Sequence, residues 1–579
     1  MTLIRTSPLV LVAAVALLAL CGMARGADVS LEIKIEGLPG ELTKNVEAVL
    51  SVVKLKAQAT FTVDQLRRAH RRAEKEIRSA LEPFGYYSPK IETSLKQENG
   101  KWLALYTIDA GSPVVVETVA IEIEGEGKND ANFEKLRRDF PLRAGSTLVH
   151  SQYDAGKRAL MRYALDNGYL DAKFLKHEIA VNRGAARATV SLHIDSGPRY
   201  RFGAIEFKQD VIDEEYLRRY VPFKAGDLYS SEKLLDFHNA LYDTEYFGSV
   251  DIRADRERAE DLTIPVLATL DAQPRHRYTA GLGYGTDTGP RGSLGWTNRR
   301  FNRRGDRMKA MLKVSDVIDS LGTAYVVPIG NPRTDQLEYS VNWEDDTSGD
   351  QEDESWVYGV SRSVSRREGR LETIYLNFRT DSYAVGNDIG NTDFLIPGIT
   401  WSWLRATKSP FPLSGYRFSI DLRGANEEVF SDGTFVQTIL NGKVIVGLGE
   451  NNRALLRGEV GSTTYGDVRG LPPALRFFAG GDLSVRGYAY ESLSPDDEGG
   501  EQLLVGSVEL EHRFAPDWSV ATFVDAGNAM DDWSATLMKG AGVGIRWHSP
   551  VGPLRVDVAQ ALSLDDRPWR LHIVLGPTL

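Results

Sequence analysis

The fold is decided by a stretch that alternates apolar and polar residues without interruption, Tyr416-Arg-Phe-Ser-Ile-Asp-Leu-Arg423. Strict alternation is typical of a β-strand with two different faces, because successive side chains point to opposite sides of the strand. Leu554-Arg-Val-Asp-Val558 and Trp569-Arg-Leu-His-Ile-Val-Leu575 follow nearly the same pattern. The C-terminal half of the chain is therefore predicted to contain strands that are apolar on one face only.

Segments of this kind recur from residue 273 to residue 579, and we identify sixteen of them. Their spacing of about 19 residues suits a membrane-spanning strand of ~10 residues with its connection. We predict a 16-stranded transmembrane β-barrel over residues 273–579. A soluble β-sandwich would show similar alternation, but so long a run of evenly spaced strands favours the barrel. The predicted strands begin near residues 276, 290, 307, 321, 336, 355, 369, 397, 416, 434, 453, 502, 518, 538, 553 and 568.

The composition agrees with this interpretation and excludes one class of function. Glycine accounts for 54 of 579 residues, as expected of a chain with many turns and strands. The hydrophobic fraction of 42% does not argue against a membrane, because barrel strands alternate lipid-facing and lumen-facing residues. The 69 Lys and Arg residues against 80 Asp and Glu residues give no basic excess, which argues against nucleic-acid binding.

The N-terminus has the pattern of a secretory signal peptide. Twelve apolar residues run from Leu9 to Leu20, and small residues follow at Ala24 and Gly26. This run is shorter than the ~20 residues that a membrane-spanning helix needs. We expect cleavage after Gly26, with the bond after Ala24 as the second choice, so that residues 1–26 are removed. An alternative makes Cys21 a lipidated N-terminus, but the leucine before it is large for that processing site.

Three similar units of the order β-α-α-β-β lie between residues 29 and 272. Helical spacing is clear in the first unit, where the capping-box pattern Thr62-Val-Asp-Gln65 precedes apolar residues from Leu66 to Leu81. Closing strands end at Asp109, Asp195 and Asp271, 86 and 76 residues apart. Each unit opens with a short alternating strand: Val29-Ser-Leu-Glu-Ile-Lys-Ile-Glu-Gly37, Val116-Glu-Thr-Val-Ala-Ile-Glu-Ile-Glu-Gly125 and Tyr200-Arg-Phe-Gly-Ala-Ile-Glu-Phe207.

We place the domain boundaries at 27–113, 114–198 and 199–272, ahead of the barrel. A sheet in such a unit keeps an open edge, which can pair with an extended segment of another chain. A role as simple spacers is the alternative.

Long connections are expected on the outer side of the barrel if the three units lie in the periplasm. These are the acidic stretch Glu344 to Glu354, a segment near 382–396, and the longest, about 463–501. Short turns at Asn331–Asp335 and His548–Gly552 then face the periplasm. The acidic stretch is interpreted as a solvated loop, with binding of divalent cations of the surface lipid as the alternative.

The longest connection contains a glycine-rich turn with one arginine, Gly480-Gly-Asp-Leu-Ser-Val-Arg-Gly-Tyr488. Two later stretches, Val508-Glu-Leu-Glu-His-Arg-Phe514 and Phe523-Val-Asp-Ala-Gly527, carry carboxylates at alternate positions. If their valines face lipid, the alternation turns Glu509, Glu511, Arg513 and Asp525 into the lumen. An arginine that enters a narrow lumen loses its water and must be paired. We predict that Arg486 latches the loop inside the barrel by binding Glu511 and Asp525.

The βααββ unit resembles the POTRA (polypeptide-transport-associated) domain. The whole mature chain is similar to the POTRA-barrel assembly superfamily, which includes BamA, TamA and the two-partner secretion transporters. Val485-Arg-Gly-Tyr488 matches the loop motif of that superfamily, and Phe523-Val-Asp-Ala-Gly527 matches its strand motif. The resemblance implies that Arg486 is placed with Asp525 and Glu511, and that Val485, Gly487 and Tyr488 complete the loop motif.

Three units before the barrel differ from the five of BamA and the two of the secretion transporters. The first barrel strand, Gly283-Tyr-Gly-Thr-Asp-Thr-Gly-Pro-Arg291, and the ending Gly576-Pro-Thr-Leu579 look like the TamA branch. This resemblance implies insertion of unfolded outer-membrane barrel clients, including autotransporters, into outer-membrane lipid. It also implies a TamB-like, inner-membrane-anchored periplasmic partner that docks on the first unit, Val29 to Gly111. No cofactor, metal or nucleic acid is expected.

The seam between the first and last barrel strands, about Arg277–Tyr284 and Trp569–Leu575, is predicted to be weak. Glycines at 281, 283 and 285 loosen the first strand, and Gly576 with Pro577 shortens the last, because proline donates no ladder bond. The predicted seam residues are Gly281, Gly283, Gly285, Ile573 and Gly576. A client strand could pair at an opened seam and enter the lipid sideways. Cysteines at Gly283 and Ile573 should lock it.

The sequence offers less support for three other functions. A passive pore needs neither an arginine latch nor three periplasmic units, and a two-partner-secretion-type translocation pore would serve one dedicated substrate. An enzyme is not expected. His177-Glu178 starts like a zinc-protease motif, but the position of the second histidine is Val181, and no Gly-x-Ser-x-Gly turn occurs.

Overall fold

A computed structural model of the 579-residue chain gives the fold. It describes residues 30–575 except 59, 99, 349–350, 368, 387, 408–410, 465–469 and 550–551. The predicted signal peptide, residues 1–26, and the predicted seam residue Gly576 lie outside the described residues. The chain forms two compact units, and the second comprises Ile205–Pro222, Leu235–Arg253 and the residues from Leu267 onward.

The first repeat has two strands after its helices, as predicted. Its long helix is capped by Thr62, whose Oγ1 accepts from the backbone N–H of Gln65 while Gln65 Oε1 accepts from the backbone N–H of Thr62. The apolar residues of the helical pattern, from Leu66 to Leu81, are buried, so the helix prediction is confirmed. The elements are β1 (Leu31–Glu36), α1 (Gly40–Val49), α2 (Ser51–Lys56), α3 (Val63–Leu81), β2 (Lys90–Glu98) and β3 (Lys101–Asp109).

The second and third repeats have the same order of elements. In each sheet the third strand of the repeat lies in the middle, and β1 runs parallel to β3. The second repeat consists of β4 (Val115–Glu124), α4 (Ala131–Arg138), α5 (His150–Asp166), β5 (Lys173–Asn182) and β6 (Arg187–Asp195). The third consists of β7 (Arg201–Lys208), α6 (Glu214–Arg218), α7 (Ser231–Tyr242), β8 (Phe247–Ala254) and β9 (Thr263–Ala272). In the first repeat the first helical stretch is divided at Leu50.

Sixteen antiparallel strands form a closed barrel, which confirms the predicted fold class. Every strand begins within four residues of its predicted start except the eighth, which begins at Asp388 rather than near 397. The strands are β10 (His276–Gly285), β11 (Gly289–Asn298), β12 (Arg307–Ser315), β13 (Ile318–Pro328), β14 (Asp335–Asp346), β15 (Gln351–Arg367), β16 (Arg370–Val385), β17 (Asp388–Ala406), β18 (Ser414–Ala425), β19 (Phe435–Gly447), β20 (Asn452–Thr464), β21 (Gln502–Ala515), β22 (Trp518–Met530), β23 (Met538–Ser549), β24 (Gly552–Ala561) and β25 (Trp569–Leu575).

Two of the predicted outer loops were wrong. The acidic stretch Glu344–Glu354 belongs mostly to the ends of β14 and β15, and the segment 382–396 belongs mostly to β16 and β17. These strands are longer than the ~10 residues that cross a membrane. Beyond the lipid a strand needs no apolar face, so alternation fades while the hydrogen-bonded ladder continues. The third predicted loop is confirmed, since β20 ends at Thr464 and β21 begins at Gln502.

The barrel wall is apolar outside and polar inside. Val508, Leu510, Val520 and Val524 are among its exposed large hydrophobic residues, whereas Asp525 on the same strand as Val524 is buried. The lipid-facing side of β21 and β22 is therefore the predicted one. No helix among the described residues is long and apolar enough to cross a membrane.

Residues of the third repeat contact turns at one end of the barrel. Arg303, in the turn after β11, donates from Nε to Asp213 Oδ1 at 2.6 Å. Arg219 donates to the carbonyl oxygens of Pro328 and Gly330 at 3.2 and 3.1 Å. The predicted short turn Asn331–Asp335 follows Gly330 directly, so it lies next to Arg219 of the third repeat.

Candidate functional site

The connection between β20 and β21 folds back into the barrel. Val485, Arg486 and Tyr488 of this loop are buried. Backbone bridges join Phe477 to Gly500 within it. Gly487 has a φ of 102°, and a Cβ there would lie 2.9 Å from the backbone nitrogen of Ala561. The loop motif therefore needs glycine at this position, because the backbone passes directly against β24.

Arg486 is bound from several sides. Its Nε and Nη2 donate to the two carboxylate oxygens of Asp525 at 2.8 and 3.0 Å, and its backbone N–H donates to Asp525 at 3.1 Å. Nη1 donates to Glu509 at 2.8 Å and to Asp557 at 3.0 Å. The guanidinium lies 3.3 Å from the ring centroid of Phe523. The structure thus brings together the predicted pair Arg486 and Asp525, with two more carboxylates around them.

Glu511 does not bind Arg486, and this part of the prediction was wrong. Glu511 accepts from Arg453 Nη2 at 2.6 Å and lies 3.0 Å from His548 Nε2. Glu509 and Glu511 face the lumen together, but two residues of strand separate them by ~6.8 Å. The loop reaches the level of Glu509, so that residue takes the predicted place of Glu511.

A second buried arginine links the carboxylates that surround Arg486. Arg546 on β23 donates to Glu509 Oε1 at 2.9 Å and also binds Asp557. Buried charges are stable only where they are paired, and here two guanidinium groups alternate with three carboxylates. We did not predict Arg546 or Asp557 as members of this cluster. The alternation of Leu554 to Val558 places Asp557 on the polar face, but it does not show which loop residue meets it.

The loop also contacts both closing strands of the barrel. The backbone N–H of Gly487 donates to His572 Nε2 on β25 at 2.9 Å, so the proton of that ring lies on Nδ1. His572 Nδ1 then donates to Asp482 Oδ1 at 2.5 Å. Thr286, which follows β10, donates from Oγ1 to the same oxygen at 2.9 Å.

Asp287, Asp482 and His572 are a group whose ligand atoms all lie within 4.8 Å of one another. Each of these side chains has a protein partner. Asp287 accepts from the backbone N–H of Asp482 at 2.5 Å, and the other two bind each other. The group therefore joins the loop to the seam by hydrogen bonds.

The seam between β10 and β25 is short. Within the described residues the two strands share one register pair, Gly285 with Val574. Next to it the N–H of Thr286 donates to the carbonyl of Ile573 at 3.2 Å, and the N–H of Ile573 donates to Thr286 Oγ1 at 3.1 Å. By contrast, β24 and β25 pair along Leu554–Gln560.

The predicted seam residues occupy different places. Gly285 lies in the register pair, while Gly281 and Gly283 lie further along β10, facing the side chains of Ser293 and Arg291. Ile573 lies opposite Thr286, not Gly283, so the predicted cross-link between positions 283 and 573 was wrong in register. Sequence alone could not supply this offset, because it depends on how the barrel closes.

The fold and the buried loop define a class of protein, a transmembrane β-barrel preceded by POTRA repeats, with a loop arginine bonded to carboxylates inside its lumen. The chain belongs to the Omp85 superfamily, because residues 276–577 match the Omp85 superfamily domain. Residues 32–110 match the model described as POTRA domain TamA domain 1. Residues 200–267 match a POTRA model described as surface antigen variable number repeat. It is an outer-membrane barrel with its POTRA repeats in the periplasm.

Related proteins are assembly factors by name. The outer membrane protein assembly factor BamA of Nitratidesulfovibrio vulgaris is 22% identical over 390 residues, which cover 62% of this chain and 48% of that protein. The chain thus spans about half the length of that relative. BamA of Neisseria meningitidis serogroup B is 21% identical, covering 82% of this chain and 79% of that protein.

A solved structure shows the same fold. It is that of BamA from Haemophilus ducreyi lacking POTRA domains 1–3, with a TM-score of 0.57 and 15% sequence identity. The match covers 95% of this chain and 99% of that chain. At this identity the likeness concerns the fold alone.

Proposed function

We propose that this protein inserts outer-membrane β-barrel clients by pairing their strands at the seam between β10 and β25. The observation that carries the proposal is the single register pair, Gly285 with Val574, that joins these strands within the described residues. An unpaired strand edge inside a bilayer leaves backbone N–H and C=O groups without partners, and a client strand would supply them. The names of the curated relatives support an assembly function.

In this proposal Arg486 keeps the loop inside the lumen while the seam opens. Arg486 anchors the loop to β21, β22 and β24, on the side of β25 away from β10. Opening at the seam can therefore proceed while the loop stays attached to the wall. A client strand that enters would meet the lipid on one side and the anchored loop on the other.

We further propose that the protein is of the TamA type. The match of residues 32–110 to the first POTRA domain of TamA supports this assignment. On this basis the clients include autotransporters, and a TamB-like periplasmic protein anchored in the inner membrane docks on residues 29–111. Co-purification of that partner should be lost when the first repeat is deleted, and unchanged co-purification would reject the docking site.

The domain boundaries form part of the same proposal. We place the signal peptide at 1–26, the three POTRA domains at 27–113, 114–198 and 199–272, and the barrel at 273–579. Mass spectrometry of the mature N-terminus tests the first boundary, and limited proteolysis between the repeats tests the others.

A disulfide across the seam tests the insertion mechanism. Thr286 and Ile573 exchange hydrogen bonds, so Gly285 and Val574 form the neighbouring, non-hydrogen-bonded pair, with Cα atoms about 4.5 Å apart. That separation suits a disulfide. The natural sequence has one cysteine, within the predicted signal peptide, so no other thiol of the mature chain competes. The double variant Gly285→Cys with Val574→Cys should insert an unfolded barrel client into vesicles only when reduced.

The matched control is a disulfide between strands that are already fully paired. Val558 and Leu571 are register partners on β24 and β25, and cysteines there should leave insertion unchanged in both redox states. Full insertion by the oxidised seam variant would refute the proposed mechanism. Loss of insertion in the oxidised control would show that the assay reports general rigidity instead.

A further inference from the structure

Asp482 lies where the loop meets both closing strands of the barrel. It precedes the anchored Arg486 by four residues in the chain. One of its carboxylate oxygens, Oδ1, accepts from His572 on β25 at 2.5 Å and from Thr286 after β10 at 2.9 Å. We call these three side chains, Asp482, His572 and Thr286, the seam clasp. A single loop carboxylate therefore joins the two strands that the barrel must separate in order to open.

His572 is held by the loop at two points. Its Nε2 accepts from the backbone N–H of Gly487, and its Nδ1 donates to Asp482, so both ring nitrogens are used. The residue is 1% exposed, so its ring is shielded from bulk water. The loop segment between these two contacts includes Arg486, which is bound to the wall. The last strand is thus attached to a fixed point of the barrel interior.

At Thr286 the side-chain hydroxyl, rather than a backbone carbonyl, accepts the hydrogen bond from the last strand. The N–H of Ile573 donates to Thr286 Oγ1 at 3.1 Å, while the same hydroxyl donates to Asp482. The hydroxyl uses its one hydrogen for the carboxylate and a lone pair for the last strand. The first strand is therefore held to β25 and to the loop by the same atom, next to the single register pair.

We propose that Asp482 is a positioning residue that keeps the seam closed through the clasp, so that the seam opens only when the bond of Asp482 to His572 or to Thr286 breaks. The proposal rests on strand pairing at the seam as the working mechanism. Hydrogen bonds that a carboxylate oxygen accepts in a buried site are stronger than hydrogen bonds between neutral groups. The two bonds of Asp482 add to the short ladder beside them, so the loop strengthens a seam that the strands alone hold weakly.

Labelling of a single cysteine at the seam measures opening without any client. In the variant Val574→Cys, whose position is partly exposed while the seam is closed, a small maleimide reacts faster once β10 moves away. We expect Asp482→Asn to raise the labelling rate by about tenfold or more, since it removes the charge from both bonds. Thr286→Val, which keeps the shape and removes the hydroxyl, should raise it as well. Labelling at the unmodified rate in both variants would overturn the proposal.

The matched control removes a charge from the same loop away from the seam. Glu491 accepts from Gln351 at 2.7 Å and from Ser348 at 3.3 Å, next to β15 rather than on either closing strand. Glu491→Gln should leave the labelling of Val574→Cys unchanged. If it labels as fast as Asp482→Asn, general loosening of the loop controls the seam, and the clasp does not.

The two proposals fail in different ways. Labelling reports opening of the seam, whereas the disulfide across positions 285 and 574 reports whether opening is needed for insertion. Faster labelling in Asp482→Asn together with full insertion by the oxidised disulfide variant would uphold the clasp and reject the insertion mechanism. Unchanged labelling with redox-controlled insertion would do the reverse.

Discussion

The last strand, β25, is bonded very differently along its two edges. Toward β24 it pairs over its whole length, Trp569–Leu575, whereas toward β10 the described residues share one register pair. Both edges belong to the same residues, so strand propensity cannot explain the difference. The partner strand decides it, because only the end of β10 lies in register with the end of β25. The edge toward β24 is part of the continuous barrel wall, and the edge toward β10 forms the seam.

The loop between β20 and β21 binds the barrel wall and the seam through different residues. Arg486 binds Asp525, Glu509 and Asp557, which stand on β22, β21 and β24. Asp482 instead binds residues of the two closing strands. The wall side is held by several buried ion pairs and the seam side by hydrogen bonds to one carboxylate. Changes on the wall side should therefore have larger effects on stability.

Replacing Arg486 by alanine should have the largest effect. It leaves three buried carboxylates with one guanidinium fewer, and breaking a buried ion pair costs about 3–5 kcal/mol. We expect the loop to leave the lumen and to become cleavable by proteinase K added to intact cells. Arg513, which is not part of this cluster, is the control, and Arg513→Ala should keep the loop protected. A protected loop in Arg486→Ala would contradict the latch.

Proline substitutions compare the two edges of β25 directly. The backbone groups of Ile573 face β10, so those of Leu571 do too, while those of Arg570 face β24. Arg570→Pro removes a ladder bond to β24 and should cost about 2–4 kcal/mol. Leu571→Pro removes none and should cost clearly less. Urea unfolding followed by gel mobility of the folded barrel measures both, and equal losses would show that the edges are equivalent.

Substitutions at Glu509 and Glu511 distinguish the carboxylate that binds the loop arginine from the neighbouring carboxylate that binds Arg453. Glu509→Gln weakens the bonds to Arg486 and Arg546, and we expect a loss of about 1–3 kcal/mol in loop docking. Glu511→Gln affects Arg453 and should leave the loop protected from protease, although the barrel itself becomes less stable. If Glu511→Gln alone released the loop, the pairing of Arg486 with Glu511 that the sequence predicts would be supported instead.

The smallest effect is expected at a seam glycine. A Cβ on Gly283 would lie 2.7 Å from Arg291 Nε, and Arg291 donates to the carbonyl of Leu575 at 2.9 Å. Gly283→Ala should displace that side chain and weaken the seam by about 0.5–1.5 kcal/mol. A few-fold rise in labelling of Val574→Cys would show it. Gly292→Ala is the control, because a Cβ there meets nothing within 4 Å.

The alternation of apolar and polar residues was sufficient for most of the barrel. It placed Asp525 and Glu509 in the lumen and Val524 on the lipid side, because each depends only on the parity of one strand. It did not separate Glu509 from Glu511, which share a face. Which of the two meets Arg486 depends on how deeply the loop enters, and no local pattern records that depth.

The sequence by itself determined the elements with a short-range signature. These are the three repeats, the sixteen strands and the arginine-bearing loop, since period-two and helical spacing act over a few residues. The tertiary structure alone decided the register of the seam, the partners of Arg486 and the contacts of Asp482 with both closing strands. These join residues that lie far apart in the chain. They follow from how the barrel closes and how the loop packs inside it.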